Sequence, residues 1–445
     1  MPLRYTWYPV LRLKSQKYCR LYKFGFYAGV ETVLIVILKK FMQTSSTQQR
    51  IEIIDVLRGF TLLGIIMVHF SEQYYAGAHP ESHMNFDIKF LGDQIMQGFI
   101  GIFISGKFFM IFSFLFGLSF FLQLNKSEAN LKFFGRFFWR LVILCAIGFV
   151  HHLHYRGDIL TIYAMLGVGL LICYKLPDKW LLIVALVLTI NLPSVIVRGI
   201  QTVTQPELEI EKMFGGNNDD NEKYFTTVKE GSYLELLKAN FKEFEFKYRF
   251  QVVSGRIYIT MGLFLLGLYA GRKRIFENWM ENLPQFKKYL KRSLWIILGL
   301  ILFSAAFFGG AEAAKIKLPE LVLWMVGGLV YDILNLALAV IYVAGIVLLF
   351  NKEKWYRRLM NFYAVGRMGL TTYLMQTFFG VLLFFSIGFG LLGEIGVLAS
   401  VGIGILIFIG QIYFSKWWLA RFRYGPVEWL WRSATYLKVQ EFKNP

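Results

Sequence analysis

The sequence predicts an all-α polytopic membrane protein with about ten transmembrane helices, eleven if an N-terminal apolar run also crosses. They form two five-helix halves, with both termini cytoplasmic. Three observations predict this. The 445 residues are 56% hydrophobic and 17% charged, with a mean hydropathy of +0.49, a balance foreign to soluble domains. Apolar runs of about 18 residues or more, the length a bilayer core requires, recur along the chain. The net charge of +19 is also unevenly placed. Loops 125–140, 272–292 and 351–367 and the segment 416–445 hold 22 Lys/Arg against 6 Asp/Glu, whereas 198–250 holds 8 basic and 10 acidic residues. Short basic loops stay cytoplasmic while long ones cross largely regardless of charge, so 198–250 is expected outside. Topology and attraction to anionic lipid account for the charge, and nucleic acid is not an expected partner.

Residues 1–47 read as a basic extension whose apolar run, 25–38, ends at Lys39 and Lys40. Met42 is expected as an alternative start, leaving 1–41 dispensable. The front half, 48–197, carries spans at 58–76, 95–122, 139–155, 159–174 and 180–197. In the extracytoplasmic loop 198–250, the alternating aromatic and charged residues of 224–249 predict an amphipathic helix along the outer surface near a site mouth. The rear half, 251–435, carries spans at 253–271, 293–310, 321–349, 368–390 and 396–416, and a tail, 436–445, follows. Cys19, Cys145 and Cys173 show no paired spacing, so neither a disulfide framework nor a cysteine zinc site is expected.

Ionisable groups inside such spans are costly and by default functional. The first span opens on Asp55-Val-Leu-Arg58-Gly59, with the acid and the arginine neighbours on one helix face. They are either site residues or a dipole-matched acid beside a snorkelling arginine. His69 lies roughly 15 Å further along the helix. Beyond it come Glu72, His79, Glu81, His83 and Asp87, whose spacing matches no zinc pattern; no metal is expected. The second span holds Lys107 after Gly106. The third exits at His151-His152-Leu-His154-Tyr155-Arg156-Gly-Asp158, where Asp158 is placed either for chemistry or as the N-cap of the next helix. In the rear half, Asp332 and Asn335 share a face, as do Thr372 and Gln376 beside Tyr373. Such residues either line a site or join helices. Trp429 and Trp431 suit an interfacial anchor.

Arg50…Asp55-Val-Leu-Arg58-Gly59, Gly106-Lys107, Gly157-Asp158-Ile-Leu…Tyr163, Gly366-Arg367-Met…Tyr373…Gln376 and Gly425-Pro-Val-Glu-Trp-Leu-Trp-Arg432 occur in this order across 48–435. Through them the chain resembles the DUF418 family of YeiB-like membrane proteins, with the family domain over about 270–435. Through its Asp-x-x-Arg-Gly first span it is also similar to membrane acyltransferases that include the heparan-glucosaminide N-acetyltransferases. That resemblance implies transfer of an acyl group from cytosolic acyl-CoA to an acceptor across the membrane, by an asparagine and a histidine near the outer end of the first span. This chain departs from the pattern. His69 stands at the usual asparagine, and His79 is only near the loop histidine, so which imidazole is the base stays open.

The expected function is therefore acyl transfer to an extracytoplasmic hydroxyl or amine. His69 or His79 serves as base, Asp158 orients it or binds the acceptor, and Lys107 steadies the oxyanion. Arg58, Arg367 and Arg432 dock the polyanionic donor at the basic inner face. Asp55, His151, His154, Tyr163, Arg256, Tyr373 and Gln376 complete the expected substrate-binding set. The alternative is a small-molecule or lipid transporter with a proton relay through Asp332, Lys107 and His69. Expected partners are membrane lipid, acyl-CoA, an unidentified acceptor and a second copy in a homodimer. The expected location is the bacterial inner membrane.

Overall fold

A computed structural model of the protein describes residues 51–77, 79–80, 84–87, 90–126, 131–204 and 218–444. The N-terminal extension, Met42, Glu81 and His83 lie outside the described residues. Regular structure among the described residues is helical apart from one antiparallel bridge, Phe422 to Lys443. The first helices are α1 (Glu52–Ser71), α2 (Leu91–Phe99), α3 (Lys107–Lys126), α4 (Leu131–His154), α5 (Leu160–Cys173), α6 (Asp178–Thr189) and α7 (Leu192–Thr204). The 198–250 region contributes the end of α7, α8 (Asn218–Glu230) and most of α9 (Tyr233–Val253). Then follow α10 (Arg256–Arg272), α11 (Leu283–Ser304), α12 (Glu320–Phe350), α13 (Glu353–Leu359), α14 (Asn361–Arg367), α15 (Gly369–Phe384), α16 (Val397–Leu419) and α17 (Pro426–Tyr436).

Six helices among the described residues are long and apolar enough to cross a membrane: Glu52–Ser71, Leu91–Asn125, Lys132–His154, Leu283–Ala313, Leu321–Phe350 and Val397–Leu419. α9 and α10, bent by 67° at their joint, make a seventh if counted as one span. The protein is thus a multi-pass membrane protein, with fewer helices of spanning length than the ten expected. The expected span 159–174 is α5, whose 14 residues reach about 21 Å at 1.5 Å each, short of a hydrocarbon core of about 30 Å. The expected span 368–390 is α15, of 16 residues. The expected span 180–197 is two helices, because Asn191 turns the chain in the left-handed region at φ 63°. Asparagine tolerates that region, and Pro193 then suits the first turn of α7.

The two halves interleave in one compact unit, 51–445. α1 is the hub, with Leu57, Leu62, Ile66 and Phe70 fully buried against α3 from the front and α14, α15 and α16 from the rear. A Cβ on Gly366 would lie 1.8 Å from the carbonyl oxygen of Asp55, and one on Gly59 2.0 Å from that of Phe362. α1 and α14 therefore meet backbone to backbone, as only small residues allow.

α17 is fixed by a cap. Glu428 Oε1 accepts from the backbone N–H of Leu370 (2.7 Å) and Thr371 (3.0 Å), satisfying orphan donors at the start of α15. Trp429 and Trp431 donate to the carbonyls of Gln440 and Arg140. Both are only partly exposed, so they tie α17 to its neighbours.

Candidate functional site: a chamber behind the first helix

A cavity of about 2260 Å³ lies between α1, α3, α5, α8, α9 and α10. One stretch of its wall is apolar (Ile65, Val68, Phe108, Phe109, Phe112); another carries Arg156, Asp158, Glu243 and Lys247, and Arg256 stands beside Phe109. The single amphipathic helix expected over 224–249 is two, because α8 ends at Glu230 and Ser232 caps α9; residues of both line the chamber. α8 is pinned there by Tyr75, whose hydroxyl lies 2.7 Å from both the Asn221 carbonyl and Oδ1. Arg156 is sandwiched 3.8 Å and 4.4 Å from the Tyr224 and Tyr75 ring centroids, a favourable cation–π arrangement.

His69 lines the chamber, with Nδ1 2.7 Å from the Tyr155 hydroxyl. Tyr74 and Tyr155 set their rings 5.3 Å from the imidazole. Burial raises the Tyr155 phenol well above its ordinary range, so it remains an O–H at physiological pH. Below lies a fully bonded acid. Asp158 Oδ1 accepts from His151 Nδ1 (2.8 Å) and the Leu160 N–H (3.0 Å), and Oδ2 from Lys247 Nζ (2.9 Å), Thr161 Oγ1 (2.7 Å) and the Thr161 N–H (3.1 Å). Burial alone would raise this carboxyl; the hydrogen bond from His151 and the charge of Lys247 outweigh it and hold it below the carboxylate range. Asp158 thus caps α5, as its N-cap reading implied, and also holds an ion pair at the chamber wall.

The other expected residues separate into groups. Tyr163, Arg256 and Tyr373 line the chamber, Tyr163 with its hydroxyl 2.6 Å from Ser113 Oγ. His151 lies behind the wall, with Nε2 2.8 Å from Thr377 Oγ1. His154 turns away to the Tyr233 hydroxyl at 2.8 Å. His79 does not line the chamber; its Nε2 lies 3.2 Å from the Glu72 carbonyl, and burial depresses it to about 4. Gln376 donates to the Leu62 carbonyl and to Gln411 Oε1, both at 3.2 Å, joining α1, α15 and α16. Lys107 also stands off the chamber. Its ammonium donates to the Gly101 carbonyl at 3.0 Å after a wide turn over Ile100–Ile104. It serves as the cation at a broken helix end, away from any oxyanion in the chamber.

Asp55 and Arg58 pair at 2.6 Å, and Arg58 also donates to Ser119 Oγ. At this end, about eleven residues or 16 Å of helix from His69, Arg140 stacks 3.9 Å from the Trp431 ring and Arg432 4.9 Å from that of Tyr424. Arg367 donates to the Arg423 carbonyl at 3.1 Å. The Nε atoms of Arg367 and Arg432 are buried without a hydrogen-bond partner among the described residues. Among the described residues no three His, Cys, Asp or Glu side chains gather to hold a metal.

Lys247, Tyr155, Arg156, Glu243 and Thr377 were not among the expected site residues. Tyr155 and Arg156 sit inside the motif that exits α4 and were within reach of sequence reasoning. Lys247 and Thr377 reach Asp158 and His151 from 89 and 226 residues away, and no spacing signals that.

Residues 270–438 match the family model described as protein of unknown function, DUF418. The uncharacterised protein YxaH of Bacillus subtilis strain 168 is 32% identical, over 90% of this chain and 97% of that protein. An uncharacterised 39.9 kDa protein encoded in the amylase 3′ region of Bacillus acidopullulyticus is 27% identical, over 89% and 96%. The uncharacterised protein YeiB of Escherichia coli K12 is 47% identical over 72 residues, 16% of this chain and 18% of that protein. No solved structure matches.

Proposed function

Starting from the fact that this chain belongs to the DUF418 family, we propose that it is an integral membrane acyltransferase of the bacterial inner membrane. It moves an acyl group from cytosolic acyl-CoA to an extracytoplasmic hydroxyl or amine. The observation that carries the reading is His69, an imidazole on a membrane-spanning helix, facing a chamber of about 2260 Å³ with its Nδ1 held at 2.7 Å by Tyr155. In the tautomer that carries its ring proton on Nδ1, Nε2 keeps its lone pair and is the base. It takes the acceptor's proton as the acceptor oxygen or nitrogen attacks the thioester carbonyl. The carbon–sulfur bond then breaks, and the imidazolium returns the proton to the departing CoA sulfur. Tyr373, which lines the chamber, replaces Lys107 as the candidate donor to the oxyanion.

His79, off the chamber, is set aside as base. The donor's phosphates dock at the opposite end of α1, where Arg367 and Arg432 each hold a buried Nε without a hydrogen-bond partner among the described residues and Arg140 stacks on Trp431. Arginine forks suit phosphate oxygens. The transporter reading is weakened because Lys107 and Asp332 are engaged elsewhere, by the Gly101 carbonyl and by Asn191 Nδ2 at 2.9 Å.

Equilibrium binding of labelled acetyl-CoA to the purified protein tests the docking step. Saturable binding is expected, weakened about tenfold or more in Arg432→Gln, since one charge-assisted phosphate contact is worth roughly that factor. No binding at millimolar acetyl-CoA would remove the enzyme reading.

A further inference from the structure

A second cavity of about 550 Å³ runs sideways from the chamber and shares Gly106, Phe109, Phe250, Arg256 and Trp324 with it. The volume lies within the range of small-molecule sites, about 300–1,000 Å³. Its walls are largely apolar, from α3 (Phe109, Met110), α10 (Ile259) and the membrane-spanning α12 (Leu323, Gly327, Gly328). Leu323, Trp324 and Tyr331 on its rim keep 42%, 41% and 48% of their surface exposed, so the crevice opens sideways on a face that α12 turns toward lipid. Asp332 is bonded to Asn191, and Asn335 Oδ1 is buried without a partner among the described residues.

At the fork stands Arg256. It is the first residue of α10, set by Gly255 at φ +76°. It is exposed, its guanidinium lies 5.6 Å and 5.4 Å from the Phe109 and Phe250 rings, and it has no carboxylate within ion-pair distance among the described residues. An apolar slot open to the bilayer, a polar chamber, and between them a guanidinium with no ion-pair partner among the described residues, its charge felt by Glu72 of the chamber lining, match the parts of one molecule. We infer that the chamber and crevice together hold an anionic membrane phospholipid that enters sideways from the bilayer. Its phosphate rests on Arg256, one acyl chain fills the crevice, and its headgroup stands in the chamber. A soluble anion would use Arg256 but leave the crevice empty, whereas the acyl chain of a lipid fills its apolar lining. The inference concerns occupancy alone, so it stands or falls independently of acyl transfer.

Native mass spectrometry of the full chain, delipidated and titrated with phosphatidylglycerol, phosphatidylcholine or glycerol 3-phosphate, tests it. The wild type should retain one phosphatidylglycerol about tenfold more tightly than phosphatidylcholine, and Arg256→Gln should erase that preference. A Cβ on Gly327 meets nothing within 4 Å, so Gly327→Phe starts its side chain in open space at the crevice wall and should weaken both lipids at least about tenfold. Gly299→Phe, an equally open position on α11, should leave binding unchanged and controls for the substitution itself. Lipid retention unaffected by Gly327→Phe, or glycerol 3-phosphate bound as tightly as the lipid, would overturn the inference; the second outcome would mark Arg256 as a site for soluble anions.

Discussion

A buried carboxylate survives only when its lone pairs are used and its charge is met, and Asp158 satisfies both with five contacts from His151, Leu160, Thr161 and Lys247. Asp158→Asn leaves the Lys247 ammonium buried without its counter-charge, and such half-removed pairs cost about 3–5 kcal/mol. Thermal unfolding in detergent should show a loss of that size; a melting temperature within error of wild type would refute the pairing. His79 gives the pH counterpart. The folded chain holds it at about 4 against an ordinary 6.5, so between those values the unfolded state binds more protons. Stability should therefore fall as pH drops from about 6.5 to 4. His79→Gln should flatten that part of the melting-versus-pH curve, and an unchanged slope would contradict the assignment. At this scale the sequence was informative where cost alone marks a residue: His69, Asp158, Arg256 and Tyr373 line the chamber. It was blind where partners arrive through the fold, as Lys247 and Thr377 do. It overread Lys107, because a lysine within an apolar run looks the same whether it faces a cavity or caps a broken helix.

Joints between elements decide where those side chains point. The bend of 67° between α9 and α10 rests on Gly255 at φ +76°, where a Cβ would lie 2.0 Å from Asn191 Oδ1. Gly255→Ala should therefore destabilise by about 1–3 kcal/mol through backbone strain and crowding. It should also displace Arg256, so the melting temperature and lipid retention fall together; an unperturbed melt would show that the joint tolerates a side chain. The helical class was legible from apolar run length, but the one helix expected over 224–249 is two, parted where Ser232 caps α9. Span number was less legible, since hydropathy averages over a turn. The run 180–197 is apolar but for Thr189, Asn191 and Ser194, and the two residues that break it, Asn191 and Pro193, carried the missing signal.

Seen as a whole, the molecule places two chemistries at opposite ends of α1: an arginine-rich end at Arg58, Arg140, Arg367 and Arg432, and a chamber end at His69. The charge distribution in the loops suggested that polarity, whereas the chamber could not be foreseen, because part of its wall is built from α8 and α9 folding back over helices distant in sequence. The most direct measurement is transfer itself, in proteoliposomes with labelled acetyl-CoA on the arginine side and hydroxylamine, a simple amine acceptor, on the chamber side. Labelled acetyl-hydroxamate should accumulate on the chamber side, and His69→Ala should slow it by about a hundredfold or more while leaving acetyl-CoA binding intact, the usual loss on removing a general base. No transfer by the wild type, or an equal rate in His69→Ala, would contradict the account.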